Sequence, residues 1–133
     1  NPAVIAGDFV FVSGQGPLKP GTREILEGDV RVQTRQVLEN IRTILEAAGC
    51  TMADVVKVNA HLADIKDFAA YNEVYREHFP EPYPARTTVQ SVLPGPFSVE
   101  IDVIAAAEMP AIARRTASPR IMGTRYPTSA CFI

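Results

Sequence analysis

Cysteine and histidine are scarce in this chain: Cys50 and Cys131, with His61 and His78, are all it has among 133 residues. The cysteines are far apart and in no metal-ligand spacing. That argues against a zinc site and against a disulfide framework, so no metal is expected and a reducing compartment fits better. Long hydrophobic runs are missing as well, none approaching the roughly 18 residues of a membrane span. Asn1 opens directly on a strand-like segment, with neither a basic n-region nor a hydrophobic h-region. No secretion signal is visible, the expected location is cytoplasmic, and the lack of an initiating Met leads us to expect residues upstream. Net charge is only −2, but it is unevenly spread. Arg114, Arg115, Arg120 and Arg125 give residues 109–133 a charge of +4 with no acid, leaving −6 on residues 1–108. An acidic body argues against a nucleic-acid face on it, and only the basic tail keeps an RNA or acidic partner open.

What is present describes one soluble domain. Apolar residues make up 47% and charged residues 21%, ordinary values for a globular protein. Residues 1–108 are expected to form the domain and 109–133 an Arg-rich extension. Ala3-Val4-Ile5 and Phe9-Val10-Phe11-Val12 read as strands about a Gly7-Asp8 turn. Ser13-Gly14-Gln15-Gly16-Pro17 is no phosphate loop, lacking the Lys-Ser/Thr that would follow; its glycines let something approach the backbone closely. Asp29 suits the N-cap of a helix running to about Ala48, with Val30, Val37, Leu38, Ile41, Ile44 and Leu45 on one stripe and Gly49 at its stop. Residues 55–62 alternate as a strand, with Lys57, Asn59 and His61 on the polar side. Asp64 caps a second helix carrying Phe68, Tyr71, Asn72, Tyr75 and Phe79 at helical spacing, where Asn72 needs partners on an otherwise apolar stripe. The order β-β-α-β-α-β-β predicts a two-layer α+β domain: a mainly antiparallel sheet with two helices on one face. The other face carries Lys57, Asn59, His61 and, by this reading, Thr88 and Gln90. It is too polar for a core and suits a wet interface in a symmetric assembly.

The most chemically suggestive stretch is Pro84-Ala85-Arg86-Thr87-Thr88-Val89-Gln90, followed after Leu93-Pro94-Gly95-Pro96 by Ser98-Val99-Glu100-Ile101-Asp102. Both arms alternate, and the turn residues between them predict a hairpin. In that hairpin Thr88 would oppose Glu100 and Arg86 would oppose Asp102, with Glu100 on the diagonal. An arginine, a hydroxyl and a carboxylate on one patch would suit a small anionic substrate. A solvated cross-strand ion pair is the alternative.

Phe9-Val10-Phe11-Val12-Ser13-Gly14-Gln15-Gly16-Pro17 and residues 33–41, Gln33-Thr34-Arg35-Gln36-Val37-Leu38-Glu39-Asn40-Ile41, resemble the RidA (YjgF) family of reactive-intermediate deaminases. So do Asp67-Phe68, Tyr71-Asn72-Glu73-Val74-Tyr75, Pro84-Ala85-Arg86-Thr87-Thr88-Val89 and Val99-Glu100-Ile101-Asp102, in order from about residue 3 to residue 107. The resemblance implies a chorismate-mutase-like subunit in a homotrimer, with pockets between neighbouring subunits. It implies hydrolysis of 2-imino or enamine acids of the 2-aminoacrylate and 2-iminobutanoate type to 2-oxo acids and ammonia, with no cofactor. Arg86 corresponds to the family arginine that grips the substrate carboxylate, and Glu100 to the glutamate beside the attacking water. Ser13, Gly14 and Asn72 fall where the family lines its pocket. Thr88 stands where many deaminating members have Cys, so a thiol step is excluded there while a hydroxyl can still hold water. The family's Gly-Pro-Tyr motif would lie just before Asn1.

Two other functions stay open. A non-catalytic module could retain small 2-oxo or related carboxylates in the same pocket. Ribonuclease activity also attaches to this family, but here the body is acidic and neither histidine has an evident acid–base partner in the sequence.

Overall fold

The computed structural model describes residues 1–107; the Arg-rich extension and Cys131 lie outside the described residues. The predicted element order is found: β1 (Ala3–Ala6), β2 (Phe9–Gln15), α1 (Val30–Ala47), β3 (Val55–Leu62), α2 (Phe68–His78), β4 (Ala85–Gln90) and β5 (Val99–Ala106). Asp29 caps α1, its carboxylate accepting the Val32 N–H at 3.0 Å, a bond whose loss by Asp29→Ala typically costs about 1 kcal/mol. Asp64 caps a single 3-10 turn, Ile65–Asp67, that leads into α2.

The five strands form one sheet in the order β1-β2-β5-β3-β4. All neighbours are antiparallel except β3 and β4, which run parallel. The expected hairpin between β4 and β5 therefore does not form: β3 lies between them. The physical reason is the helix. A strand–helix–strand crossover returns the chain in the direction it started, so β4 adds to β3 in parallel. The segment from Ser91 to Ser98 then carries the chain across β3, to its other edge. There β5 becomes a central strand, and its alternating Val99, Ile101, Val103 and Ala105 are each at most 1% exposed.

Both helices cover one face of the sheet. Val37, Leu38, Ile41 and Leu45 of α1 and Tyr71, Val74 and Tyr75 of α2 meet Val10, Val58, Ala60, Leu62 and the inward residues of β5 in one core. Gln33 and Thr34 are buried on the α1 stripe as well, which apolar periodicity does not reveal. Gln33 spans two loops, donating to Leu26 O at 3.0 Å and accepting the Ser98 N–H at 2.7 Å. No described helix covers the opposite face, and there Phe9, Phe11 and Val4 are exposed.

Candidate active site

Register assigns each site residue to a face. Directly paired residues project to the same side of a sheet. Arg86 pairs with Val58 and Thr88 with Ala60, both fully buried under the helices, whereas Glu100 pairs with His61 and Asp102 with Asn59 on the uncovered face. Thr88 and Gln90 thus belong to the helix side and not beside Lys57, Asn59 and His61 as the sequence suggested. Arg86 and Glu100 occupy opposite faces of one protomer. Asp102 is no partner of Arg86 either; it accepts a hydrogen bond from Asn59 Nδ2 at 2.9 Å.

On the helix side, Arg86 is held by α2. Its Nη1 donates to Asn72 Oδ1 at 2.8 Å and lies 3.5 Å from the Tyr71 hydroxyl. Its guanidinium carbon is 4.2 Å from the ring centroid of Tyr75 and 5.5 Å from those of Phe68 and Tyr71. Three aromatic faces attract the cation, each by about 0.5–2 kcal/mol, and they fix its plane. Nη2 is buried without a partner, and among the described residues no carboxylate forms an ion pair with Arg86. Thr88 Oγ1 is likewise buried and makes no well-formed hydrogen bond, although it sits beside the Tyr71 hydroxyl. Ile65, Phe68, Arg86 and Thr88 line an adjoining hollow of about 490 Å³. A buried donor left unpaired costs free energy, and Arg86 keeps one such donor while lining this hollow.

Burial raises the pKa of the Tyr71 and Tyr75 hydroxyls, and the neighbouring Arg86 offsets only part of that. Both stay neutral near pH 7 and cannot act as bases. The Tyr75 hydroxyl also lacks a hydrogen-bond partner. A folded-state pKa above the ordinary value of about 10 supplies stability that is complete below that value and is lost as pH rises toward the folded one. Tyr75→Phe is expected to leave neutral-pH stability within about 1 kcal/mol of wild type. It should also flatten the alkaline loss, in urea unfolding followed from about pH 8 to 11.

On the uncovered face, Ser13, Gly14, Glu100, Asp102, Phe11 and Val4 contribute to a second hollow of about 480 Å³. The β2–β5 register shifts between Val12 and Gln15, so Ser13 and Gly14 sit in a bulge, a device that re-aims backbone beside sites. Glu100 lies directly over Gly14: a Cβ there would stand 2.3 Å from Glu100 Oε1. The Phe97 ring lies more loosely against Gly16, 3.3 Å from where a Cβ would stand. The structure thus brings Arg86, Asn72 and Thr88 together and groups Ser13, Gly14 and Glu100 together, and the two groups are on different faces.

Sequence reasoning missed the aromatic enclosure of Arg86, because Tyr71 and Tyr75 read simply as core, and missed Ile65 as a wall residue. Phe79, the last of the aromatics at helical spacing, stacks on Tyr75 with centroids 4.5 Å apart and is 3% exposed. Both histidines have partners. His61 Nδ1 lies 2.8 Å from Ser91 Oγ, while His78 lies 2.8 Å from Val74 O through Nδ1 and 3.3 Å from Glu39 Oε1 through Nε2. Neither histidine lines either hollow. No group of metal-ligating side chains occurs among the described residues, and no described helix is long and apolar enough to cross a membrane.

The fold and sequence are shared with known proteins. A RutC family protein of Pyrococcus horikoshii is 53% identical over 107 residues, 80% of this chain and 85% of that protein. A goat protein named 2-iminobutanoate/2-iminopropanoate deaminase is 41% identical over 104 residues, 77% of this chain and 76% of its own length. Among solved structures, RidA from an Antarctic Psychrobacter superposes with a TM-score of 0.76 at 47% identity, covering 79% of this chain and 85% of that one. Escherichia coli TdcF with bound serine superposes at 0.73 and 41% identity, covering 80% and 87%. The sequence profile described as Endoribonuclease L-PSP matches residues 1–107, and with these relatives it makes the chain a member of the RidA (YjgF) family.

Proposed function

We propose that this protein hydrolyses 2-imino and enamine acids of the 2-aminoacrylate and 2-iminobutanoate type to 2-oxo acids and ammonia. The observation that carries this reading is Arg86, which lines a hollow beside Thr88 and keeps its Nη2 buried without a partner among the described residues. The substrate carboxylate takes that Nη2, Asn72 positions the guanidinium through Nη1, and Thr88 Oγ1 holds water near the imine carbon. Glu100 accepts a proton from that water as its oxygen attacks the carbon. That proton then goes to the nitrogen, giving a tetrahedral carbinolamine; Glu100 next takes the adduct's hydroxyl proton and delivers it to the amino group as the C–N bond breaks, leaving the 2-oxo acid and ammonia. Because Glu100 lies on the other face, it comes from a neighbouring protomer together with that protomer's Ser13 and Gly14. We therefore propose a cyclic homotrimer, each pocket closed by two chains. The exposed Phe9, Phe11 and Val4 of the uncovered face suit burial in such an assembly.

The test is ammonia release from a 2-imino acid generated in the same vessel, with the purified protein added at catalytic concentration. Acceleration over the spontaneous reaction is expected; a rate equal to the blank overturns the proposal. Thr88, in place of a thiol, favours a second reading, a binding module that retains 2-oxo carboxylates without turnover. Calorimetric binding of 2-oxobutanoate combined with a blank rate would select it.

Gly14→Ala probes the second half of the site. The added Cβ forces the flexible end of Glu100 aside and leaves the backbone intact. The melting temperature should barely change while the hydrolysis rate falls about 100-fold, the usual consequence of misplacing a reacting group by an ångström.

A further inference from the structure

Beyond Arg86 and Thr88, the same face of β4 ends at Gln90. Its Oε1 accepts the Ile65 N–H at 2.9 Å, so a side chain of the site's own strand fixes the backbone from which Ile65 projects. Ile65 opens the 3-10 turn before α2 and is 46% exposed. It lines the hollow shared with Arg86, Thr88 and Phe68. Phe68 is already committed to the guanidinium, its ring centroid 5.5 Å away, and Ile65 is the other apolar residue lining the hollow.

Resting on the carboxylate reading of Arg86, we propose that Ile65, clamped by Gln90, is the specificity residue that limits the length of the substrate's apolar side chain. The substrate lies along β4 with its carboxylate at Arg86 and its side chain running toward Ile65. From Arg86 to Gln90 the strand spans about 13 Å, room for a side chain of a few carbons before it meets the isoleucine. A second carboxylate is disfavoured there: Arg86 is the one cation among the residues lining this hollow, and the hollow on the opposite face carries the acids Glu100 and Asp102. The class selected is the 2-imino monocarboxylates with short apolar side chains. Gln90 is a positioning residue and touches no substrate.

The experiment is calorimetric titration with the unreactive product series 2-oxobutanoate, 2-oxohexanoate and 2-oxooctanoate, using wild type, Ile65→Ala, Ile65→Phe and Gln90→Ala. Melting temperatures should stay close to wild type, since Ile65 is half outside the core. Ile65→Ala should raise the affinity ratio of 2-oxohexanoate to 2-oxobutanoate by about 10-fold or more, the ordinary yield of added room in an apolar pocket. Ile65→Phe should lower that ratio. Gln90→Ala should flatten length preference while 2-oxobutanoate binding persists. A ratio unchanged in both Ile65 variants overturns the proposal while leaving carboxylate binding at Arg86 intact. Absence of binding by wild type to all three acids overturns the carboxylate reading itself, and this inference with it.

Discussion

Replacing Arg86 with Met is expected to abolish 2-oxo acid binding and imine hydrolysis while leaving the melting temperature unchanged or higher. Two charge-assisted hydrogen bonds to a carboxylate contribute about 1.5–3 kcal/mol each, so affinity for 2-oxobutanoate should fall at least about 100-fold and kcat/KM by about 1,000-fold. Stability goes the other way because, among the described residues, the cation has no acidic partner and its Nη2 is buried unpaired. A methionine of similar volume keeps the contact with Phe68, Tyr71 and Tyr75 without desolvating a charge. Arg86→Lys should not rescue activity: an ammonium cannot present two parallel donors to a planar anion while also reaching Asn72. Calorimetry and thermal unfolding on the same preparations decide the matter. A variant that loses several degrees together with its activity would mark Arg86 as a packing residue instead.

The second large effect comes from mixing. Arg86→Met and Glu100→Gln are each expected to be nearly inactive, Glu100→Gln through loss of an acid–base group worth about 100- to 10,000-fold. Co-refolded in equal amounts, they should regain activity, because in the proposed ring the two residues of one pocket come from different chains. For a ring of three with random assembly, about one pocket in four receives an intact arginine from one chain and an intact glutamate from the next. Recovery to about a quarter of the wild-type rate per site is therefore expected. No recovery, with trimers verified by sedimentation, would put both residues in one chain's pocket and contradict the register.

Much of the fold was legible because local signals and tertiary packing agree. The strand at 55–62, the Asp29 cap and the seven-element order all follow from periodicity and turn chemistry. Strand neighbours were not legible in the same way. Alternation says which residues of one strand share a face but not which strand lies alongside, and the turn residues at 93–96 imitate a hairpin. The decisive signal was present in the order β3-α2-β4, since a helix between two strands requires a crossover and a parallel pair. Arg86 and Asn72 were both singled out in the sequence, and they meet at 2.8 Å. Their aromatic setting was hidden because Tyr71 and Tyr75 serve the core and the cation at once, and residue type alone does not separate those duties.

The placement of β3 between β4 and β5 has a consequence for abundance. If each catalytic unit is assembled from the front of one sheet and the back of another, a lone chain is inert however well it folds. Output then rises more steeply than protein concentration at low expression and becomes proportional to it once rings are complete. A subunit carrying a single defect in either half would silence a pocket that its healthy neighbour helps to build, so a damaged copy lowers the yield of intact copies around it.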